Sequence, residues 1–283
     1  MIIGQFHQGS GLGNQLARLV ATRVRAADLG VDWAMMYNHD NSGKEKGFKG
    51  SSFMDIGQWD KGIKKEIHHF NPGNIVIPGQ NLPTEPEIEC GNWQEKCVRD
   101  EFGNDIRSYD PEFNFIEDNT IIEGEFQDER YWEHREKEVN EWLKVEPLDM
   151  SDDLCVISHR GGEFALFPDL YLPQGYWDFA ISEMRKINPT MKFQVQTDDE
   201  VTAKKTFPEF EVIHEIGYNW RAIRYARYLI VGNSSFSILP SWLNKNVQLT
   251  LAPKYHGRHN VGVWSMAQNF YKKYTYIAKE QYP

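Results

Sequence analysis

Three short apolar segments, each followed at once by a polar cluster, constrain the fold of this chain more than any other feature. The segments are predicted strands, separated by stretches with helical spacing of apolar residues, and this alternation predicts a parallel sheet with helical crossovers. The carboxyl ends of parallel strands meet at one edge of a sheet, where ligands bind in open α/β folds. The three strands and their clusters are Leu154–Ser158 with His159-Arg160-Gly-Gly, Lys192–Gln196 with Thr197-Asp198-Asp199, and Tyr228–Val231 with Gly232-Asn233-Ser234-Ser235.

The clusters contain side chains that suit a nucleoside diphosphate. Arg160 offers a planar, permanently charged fork for phosphate oxygens. Ser234 and Ser235 precede a predicted helix, whose first amides bind phosphate readily. Asp198 or Asp199 would accept a hydrogen bond from a base amino group or a ribose hydroxyl. The alternative is that Asp198 and the serines only cap helices; three clusters at successive strand ends favour a site.

The N-terminal segment predicts a second strand–turn–helix unit. Residues 2–7 form a predicted strand, Gly9 to Asn14 a glycine-rich turn, and Gln15–Leu29 a helix that Gly30 ends. The turn has three alternating glycines, but Asn14 stands where a dinucleotide fingerprint requires Gly or Ala. An oxidoreductase is therefore disfavoured, and failure to bind NAD would exclude it.

The middle of the chain is harder to interpret. Residues 38–118 have few clean periods and predict loops with short elements that the pattern does not locate. Beyond them we predict a strand over Thr120–Phe126, a charged helix over Glu129–Lys144 and a linker over Glu146–Ser151. We therefore predict two domains, residues 1–148 and 149–283, with the final helix packing back on the first.

Composition excludes several classes of protein. The chain has 283 residues, 40% hydrophobic and 25% charged, which is typical of a globular protein. Its net charge of −10 disfavours nucleic acid as a partner. Three cysteines are too few for a disulfide framework. Because Cys155 lies in an apolar run, we expect its thiol to be buried. No apolar run approaches the roughly 18 residues of a membrane span, which leaves peripheral membrane contact open and predicts a cytoplasmic location.

An ordered set of motifs resembles the α1,2-fucosyltransferases, which transfer fucose from GDP-fucose. The resemblance spans nearly the whole chain except residues 38–118, and each motif is weak by itself. The segments that carry it are Gly9-Ser-Gly-Leu-Gly-Asn-Gln-Leu16, Glu123-Gly-Glu-Phe-Gln-Asp-Glu-Arg-Tyr131, Ser158-His-Arg-Gly-Gly-Glu163, Thr197-Asp-Asp199, Asn233-Ser-Ser-Phe-Ser237, Trp242-Leu-Asn244 and Ala252-Pro253.

The resemblance implies a GT-B-like α/β architecture, with two Rossmann-like domains facing across a cleft. It also implies metal-independent, inverting transfer of a sugar from a nucleotide-sugar donor to a hydroxyl of a glycan acceptor, without a cofactor. Arg160 would bind the β-phosphate and stabilise the departing diphosphate, and Asp198 would contact guanine. The implied donor-binding set is Gly11, Gly13, Asn14, Gln15, Ser158, Arg160, Asp198, Asp199, Asn233, Ser234, Ser235 and Phe236.

Two departures from the family pattern keep alternatives open. Ser158 stands where the family has a His, and Glu163 where it has an Asp. A glycosyltransferase with another nucleotide-sugar, or an inactive nucleotide- or carbohydrate-binding protein of this fold, is therefore an alternative.

The general base is also open. Glu163 has suitable chemistry beside Arg160, or it braces Arg160 instead; His159 is the next candidate and His7 a weaker one. The pairs His68-His69 and His256/His259 have no carboxylates at metal-ligand spacing, so no metal is expected.

Overall fold

A computed structural model describes residues 1–7, 9–37, 47–61, 90–99, 105–107, 109–167, 170–254 and 271–282 of the chain. The pairs His68-His69 and His256/His259 lie outside these residues. Within them, two parallel sheets take their strands from the two halves of the sequence, and the first half also contains a small antiparallel ribbon.

The first half of the chain forms the smaller of the two sheets. Its strands are β1 (Ile2–Phe6), β2 (Trp33–Tyr37), β3 (Gly91–Gln94) and β6 (Thr120–Glu123), with β4 (Cys97–Arg99) and β5 (Asp105–Arg107) forming the ribbon. The four sheet strands are parallel, in the order β2-β1-β6-β3. Helix α1 (Leu12–Leu29) connects β1 to β2 and packs on β1 with its apolar face. Gly30 ends α1 in the left-handed conformation, with φ 67°, as predicted.

The second half of the chain forms a sheet of six parallel strands. They are β7 (Leu154–Ser158), β8 (Lys192–Gln196), β9 (Glu211–Ile213), β10 (Tyr228–Val231), β11 (Leu249–Pro253) and β12 (Tyr274–Ile277). Their order is β12-β11-β10-β7-β8-β9. Counted from β7 as the first strand, the chain builds outwards in one direction and then the other, as in a Rossmann fold, and the strand order reverses between β7 and β10.

Helices connect successive strands of the second sheet, as the sequence pattern predicts. They are α3 (Gln174–Ile187), α4 (Glu200–Thr206), α5 (Ile216–Tyr225) and α6 (Ile238–Leu243). Helix α3 lies between β7 and β8, α4 between β8 and β9, α5 between β9 and β10, and α6 between β10 and β11. The predicted α/β class with two Rossmann-like sheets is confirmed.

The predicted charged helix over Glu129–Lys144 is wrong in form. The segment contains two short 3-10 helices, Glu129–Tyr131 and Glu133–Arg135, followed by α2 (Glu136–Trp142). Trp132 separates the 3-10 helices with φ −138°. It is fully buried against Trp242, so side-chain packing outweighs the helix propensity of the neighbouring charged residues.

One apolar core joins the two halves of the chain. The cluster that contains α1 and the first sheet also includes Trp220 from α5 and Trp242 from α6. Trp242 donates its indole N–H to Glu129 Oε2 at 3.1 Å, and Tyr271 donates to the carbonyl oxygen of Gln127. The packing of a final helix on the first half stays a prediction. The described C-terminal residues form β12 and a 3-10 helix, Lys279–Gln281, and Tyr271 packs on the first half.

Candidate functional site

A cavity of about 790 Å³ lies between the two sheets, at the carboxyl ends of their strands. The first half lines it with the turn after β1 and the start of α1, and the second half with the loops after β7, β8, β9 and β10. The loops that follow β7 and β10 both line the cavity, and the strand order reverses between these two strands. Its volume is within the usual range of small-molecule sites.

Most of the predicted site residues line this one cavity. The structure brings together residues that are distant in sequence, as the strand-end argument predicts. The predicted residues on its wall are Gly11, Gly13, Asn14, Ser158, His159, Arg160, Glu163, Asp198, Ser234, Ser235 and Phe236.

Arg160 is held between two carboxylates. Its Nη1 lies 2.6 Å from Asp198 Oδ2, and its Nη2 donates to Glu163 Oε1 at 3.1 Å. Asp198 Oδ1 also accepts a hydrogen bond from the backbone N–H of Gly161 at 2.9 Å. Asp198 thus orients both the guanidinium and the loop that carries it, and its contact with guanine stays a prediction.

The two glycines after Arg160 are needed for the approach of this loop to the loop after β8. A Cβ on Gly161 would lie 2.8 Å from Asp199 Cβ. Gly162 has φ 46°, and a Cβ there would lie 2.6 Å from Asp198 Oδ2. The two glycines therefore leave room for the side chains of Asp198 and Asp199.

The start of α1 meets the loop after β10. A Cβ on Gly13 would lie 2.3 Å from the carbonyl carbon of Ser235 and 2.5 Å from the amide nitrogen of Phe236. Gly11 is the N-cap of α1 and gives no side-chain cap, and the first turn has no acidic residue. The positive end of an 18-residue helix therefore faces the cavity without a carboxylate of its own.

His159 is a structural residue in this arrangement. Its Nδ1 lies 3.1 Å from Thr197 Oγ1 and its Nε2 lies 3.2 Å from Tyr171 Oη. The ring is also packed against Trp177 and Phe207. Burial lowers the pKa of His159 to about 4, so the ring is neutral at pH 7. Both nitrogens are thus occupied, which disfavours the predicted role of His159 as a catalytic base.

Three residues of the implied donor-binding set do not line the cavity. Gln15 is buried, and its side chain bonds the backbone of Gly47 and Lys49. Asn233 is buried and donates to the carbonyl oxygen of Leu170. Asp199 caps α4 by accepting from Thr202 N at 3.2 Å, and its pKa is lowered chiefly by the hydrogen bond from the Thr202 hydroxyl.

The other lining residues are not among the predicted site residues. Lys49 reaches the cavity from a region where the pattern locates no element, and no sequence signal indicates its position. Asn219 lies on α5 one residue before the buried Trp220, and helical spacing alone does not distinguish it from a surface residue. The additional lining residues are Gly9, Ser10, Leu12, Lys49, Phe164, Gln196, Thr197, His214, Glu215, Ile216 and Asn219.

The remaining base candidates differ in position. Glu163 lines the cavity, and its side chain is 67% exposed although it contacts Arg160. His7, at the end of β1, lies 3.6 Å from Glu123 Oε1 and does not line the cavity. The geometry therefore retains Glu163 as both a base candidate and a brace for Arg160.

The described residues lack both a cluster of metal-ligating side chains and a helix that could span a membrane. They contain no group of three or more His, Cys, Asp or Glu side chains that would hold a metal ion. Across the same ranges, no helix has both the length and the apolar character that crossing a membrane requires.

Comparison with known proteins shows similarity in structure but not in sequence. No protein-family model and no curated protein sequence matches the chain. Among solved structures, it is similar to E. coli heptosyltransferase WaaC with ADP, at 12% identity and a TM-score of 0.43, over 98% of this chain and 93% of that one. With an identity and a TM-score this low, the similarity carries no argument about function, which depends on the site itself.

Proposed function

We propose that this protein is a glycosyltransferase that binds the diphosphate of a nucleotide-sugar in the cavity between the two sheets. The observation that carries the proposal is the convergence of Arg160, Ser234, Ser235 and the start of α1 on one cavity at the strand-order reversal of a Rossmann fold. Helix N-termini and Arg both bind phosphate oxygens. The ordered motifs shared with fucosyltransferases support the same function.

The geometry supports a simple displacement. An acceptor hydroxyl oxygen bonds to the anomeric carbon as the bond from that carbon to the diphosphate oxygen breaks. Attack from the opposite face inverts the configuration at that carbon. Arg160 and the α1 amides stabilise the charge that develops on the departing diphosphate, and a carboxylate accepts the hydroxyl proton. Glu163 is the candidate for that carboxylate.

Fucose from GDP-fucose is the donor that the motif resemblance favours, with a glycan hydroxyl as acceptor. Because Asp198 is engaged by Arg160 and Gly161, it supplies little to guanine recognition in this geometry. Ser158, which replaces the family His, is buried at 4% exposure on the cavity wall. These two positions are where a different base would be accommodated.

Release of nucleoside diphosphate tests the activity. GDP-fucose and other GDP-, UDP- and CDP-sugars are incubated with the protein, with a mixture of glycan acceptors and with either magnesium or EDTA. We expect release from one donor, unchanged by EDTA and at least about 100-fold slower in Arg160→Ala, because electrostatic stabilisation of the leaving group is lost. Wild-type rates in Arg160→Ala would contradict the proposal.

The second candidate is an inactive binding protein of the same fold. The observation in its favour is that Arg160 is already neutralised by Asp198 and Glu163. Nucleoside diphosphate binding without release from any donor would select it.

A further inference from the structure

Lys49 brings a second positive charge to the cavity, from the first half of the chain. Its side chain is exposed on the cavity wall. Within the described ranges it forms no ion pair, whereas Arg160 forms two. Before any ligand binds, the charge of Arg160 is therefore compensated by carboxylates, whereas the charge of Lys49 is not.

The charge balance around Arg160 makes this difference important. A phosphate that approaches the guanidinium also approaches the carboxylates of Asp198, at 2.6 Å from Nη1, and Glu163, at 3.1 Å from Nη2. Glu215 adds another carboxylate to the wall, where it caps α5. Attraction to Arg160 is thus largely offset by repulsion from its partners, since both act over similar distances.

The backbone of Lys49 is fixed to the helix whose start lines the cavity. Gln15, in the first turn of α1, accepts from the Lys49 backbone N–H at 2.9 Å and donates to the Gly47 carbonyl at 3.1 Å. Gln15 is 1% exposed, so this bridge is held inside the protein. The side chain of Gln15 therefore acts on the site by positioning residues 47–49.

We propose that Lys49 supplies the uncompensated positive charge that binds the donor diphosphate, and that Gln15 is its positioning residue. This inference rests on the proposed function and adds a contact from the opposite wall of the cavity. Arg160, in its carboxylate pairs, then orients the phosphate that Lys49 attracts.

Calorimetric titration with a matched pair of ligands tests the role of Lys49. GDP, UDP and CDP are titrated first, and the tightest of them is compared with its own nucleoside. We expect Lys49→Gln to weaken the diphosphate about tenfold, the size of one charge-assisted contact, and to leave nucleoside affinity unchanged. Lys49→Arg should keep most of the diphosphate affinity. Lys186→Gln is the control, because Lys186 pairs with Glu183 on α3 away from the cavity.

Two further measurements distinguish loss of the Lys49 charge from a change in the structure of the site. The dependence of log affinity on log salt should become shallower in Lys49→Gln, because one fewer cation interacts with the diphosphate. Gln15→Leu should weaken the diphosphate in the wild-type background but add no loss in the Lys49→Gln background. Circular dichroism and thermal midpoints identify any variant that fails to fold.

The outcomes distinguish this inference from the proposed function. Wild-type diphosphate affinity in Lys49→Gln, or an equal loss for the nucleoside, would overturn the role of Lys49 while a loss in Arg160→Ala still supports the site. If the wild-type protein binds none of the three diphosphates, the proposed function itself is overturned, before any variant is made.

Discussion

His159 illustrates how a residue with catalytic chemistry becomes structural through its surroundings. Thr197, Tyr171, Trp177 and Phe207 enclose the ring, and burial lowers its pKa to about 4. In the unfolded chain the pKa of His159 is about 6.5, well above its pKa in the folded protein. Folding therefore favours the neutral ring. Protonation of His159 at low pH favours the unfolded chain, where the charged ring is in water.

This pKa shift predicts a specific pH dependence. Because the unfolded state binds more protons between about pH 6.5 and 4, the free energy of unfolding should fall as pH falls through that window. The contribution of His159 is about 3 kcal/mol over this range. Denaturant unfolding of wild type and His159→Gln at about pH 7 and pH 4.5 measures it. The variant should lose less stability on acidification; equal losses in both proteins would contradict the role assigned to burial.

At the scale of elements, the contact between α1 and the loop after β10 fixes the cavity. Gly13 allows the first turn of α1 to meet the backbone of Ser235 and Phe236, which no side chain at position 13 would permit. Gly11, two residues earlier, has φ −65°, and a Cβ added there would have no other atom within 4 Å. The two glycines therefore form a matched pair.

We expect alanine to have effects of different size at these two positions. Gly13→Ala should lower the free energy of unfolding by about 1–3 kcal/mol, because the clash with backbone forces the two walls apart. Gly11→Ala should change it by less than about 1 kcal/mol, since its conformation suits alanine and space is open. Urea unfolding compares both with wild type; equal effects at the two positions would show that the contact at Gly13 is not close.

The central strands of the second sheet are more predictable from the sequence than its edge strands. The bounds of β7, β8 and β10 are predicted to the residue. Strands β7 and β10 are continuous apolar runs, as expected of strands covered on both faces, and the end of β8 is marked by the polar cluster Thr197-Asp198-Asp199. Edge strand β12 was missed, since its partly exposed residues do not form such a run. In the first sheet β3 was missed for the same reason, being largely exposed.

The site residues that directly follow strands are predictable from the sequence. Those that tertiary contacts position are not. Arg160, Asp198 and Ser235 follow strand ends, so topology alone brings them together. Lys49 is positioned by the hydrogen bond from its backbone N–H to Gln15, and such a tertiary contact gives no periodic pattern in the sequence. The pairing of Arg160 with Asp198 likewise depends on side-chain geometry that residue types do not specify.

At the scale of the whole molecule, the two halves share a core and should unfold together. Trp242 packs against Trp132 at 6.2 Å between ring centroids and bonds to Glu129, whose pKa is raised chiefly by burial. Trp220 lies in the same cluster and is fully buried. A half separated from its partner would expose these side chains to water.

Truncating this core should destabilise both halves at once. Trp242→Ala should cost about 3–5 kcal/mol through lost burial and a cavity. Urea unfolding of the wild type, followed by tryptophan fluorescence and by circular dichroism, should give coincident single transitions. Two separate transitions in the wild type, of which only one shifts in the variant, would contradict a shared core.

The most direct test of the central claim is a calorimetric titration of GDP, UDP, CDP and NAD into wild type and Arg160→Ala. If the cavity between the sheets is a nucleotide-sugar site, one nucleoside diphosphate binds the wild type, with EDTA present, and Arg160→Ala loses at least about tenfold in affinity. NAD should not bind. Absence of binding by all three diphosphates, or equal affinity in Arg160→Ala, would contradict the claim.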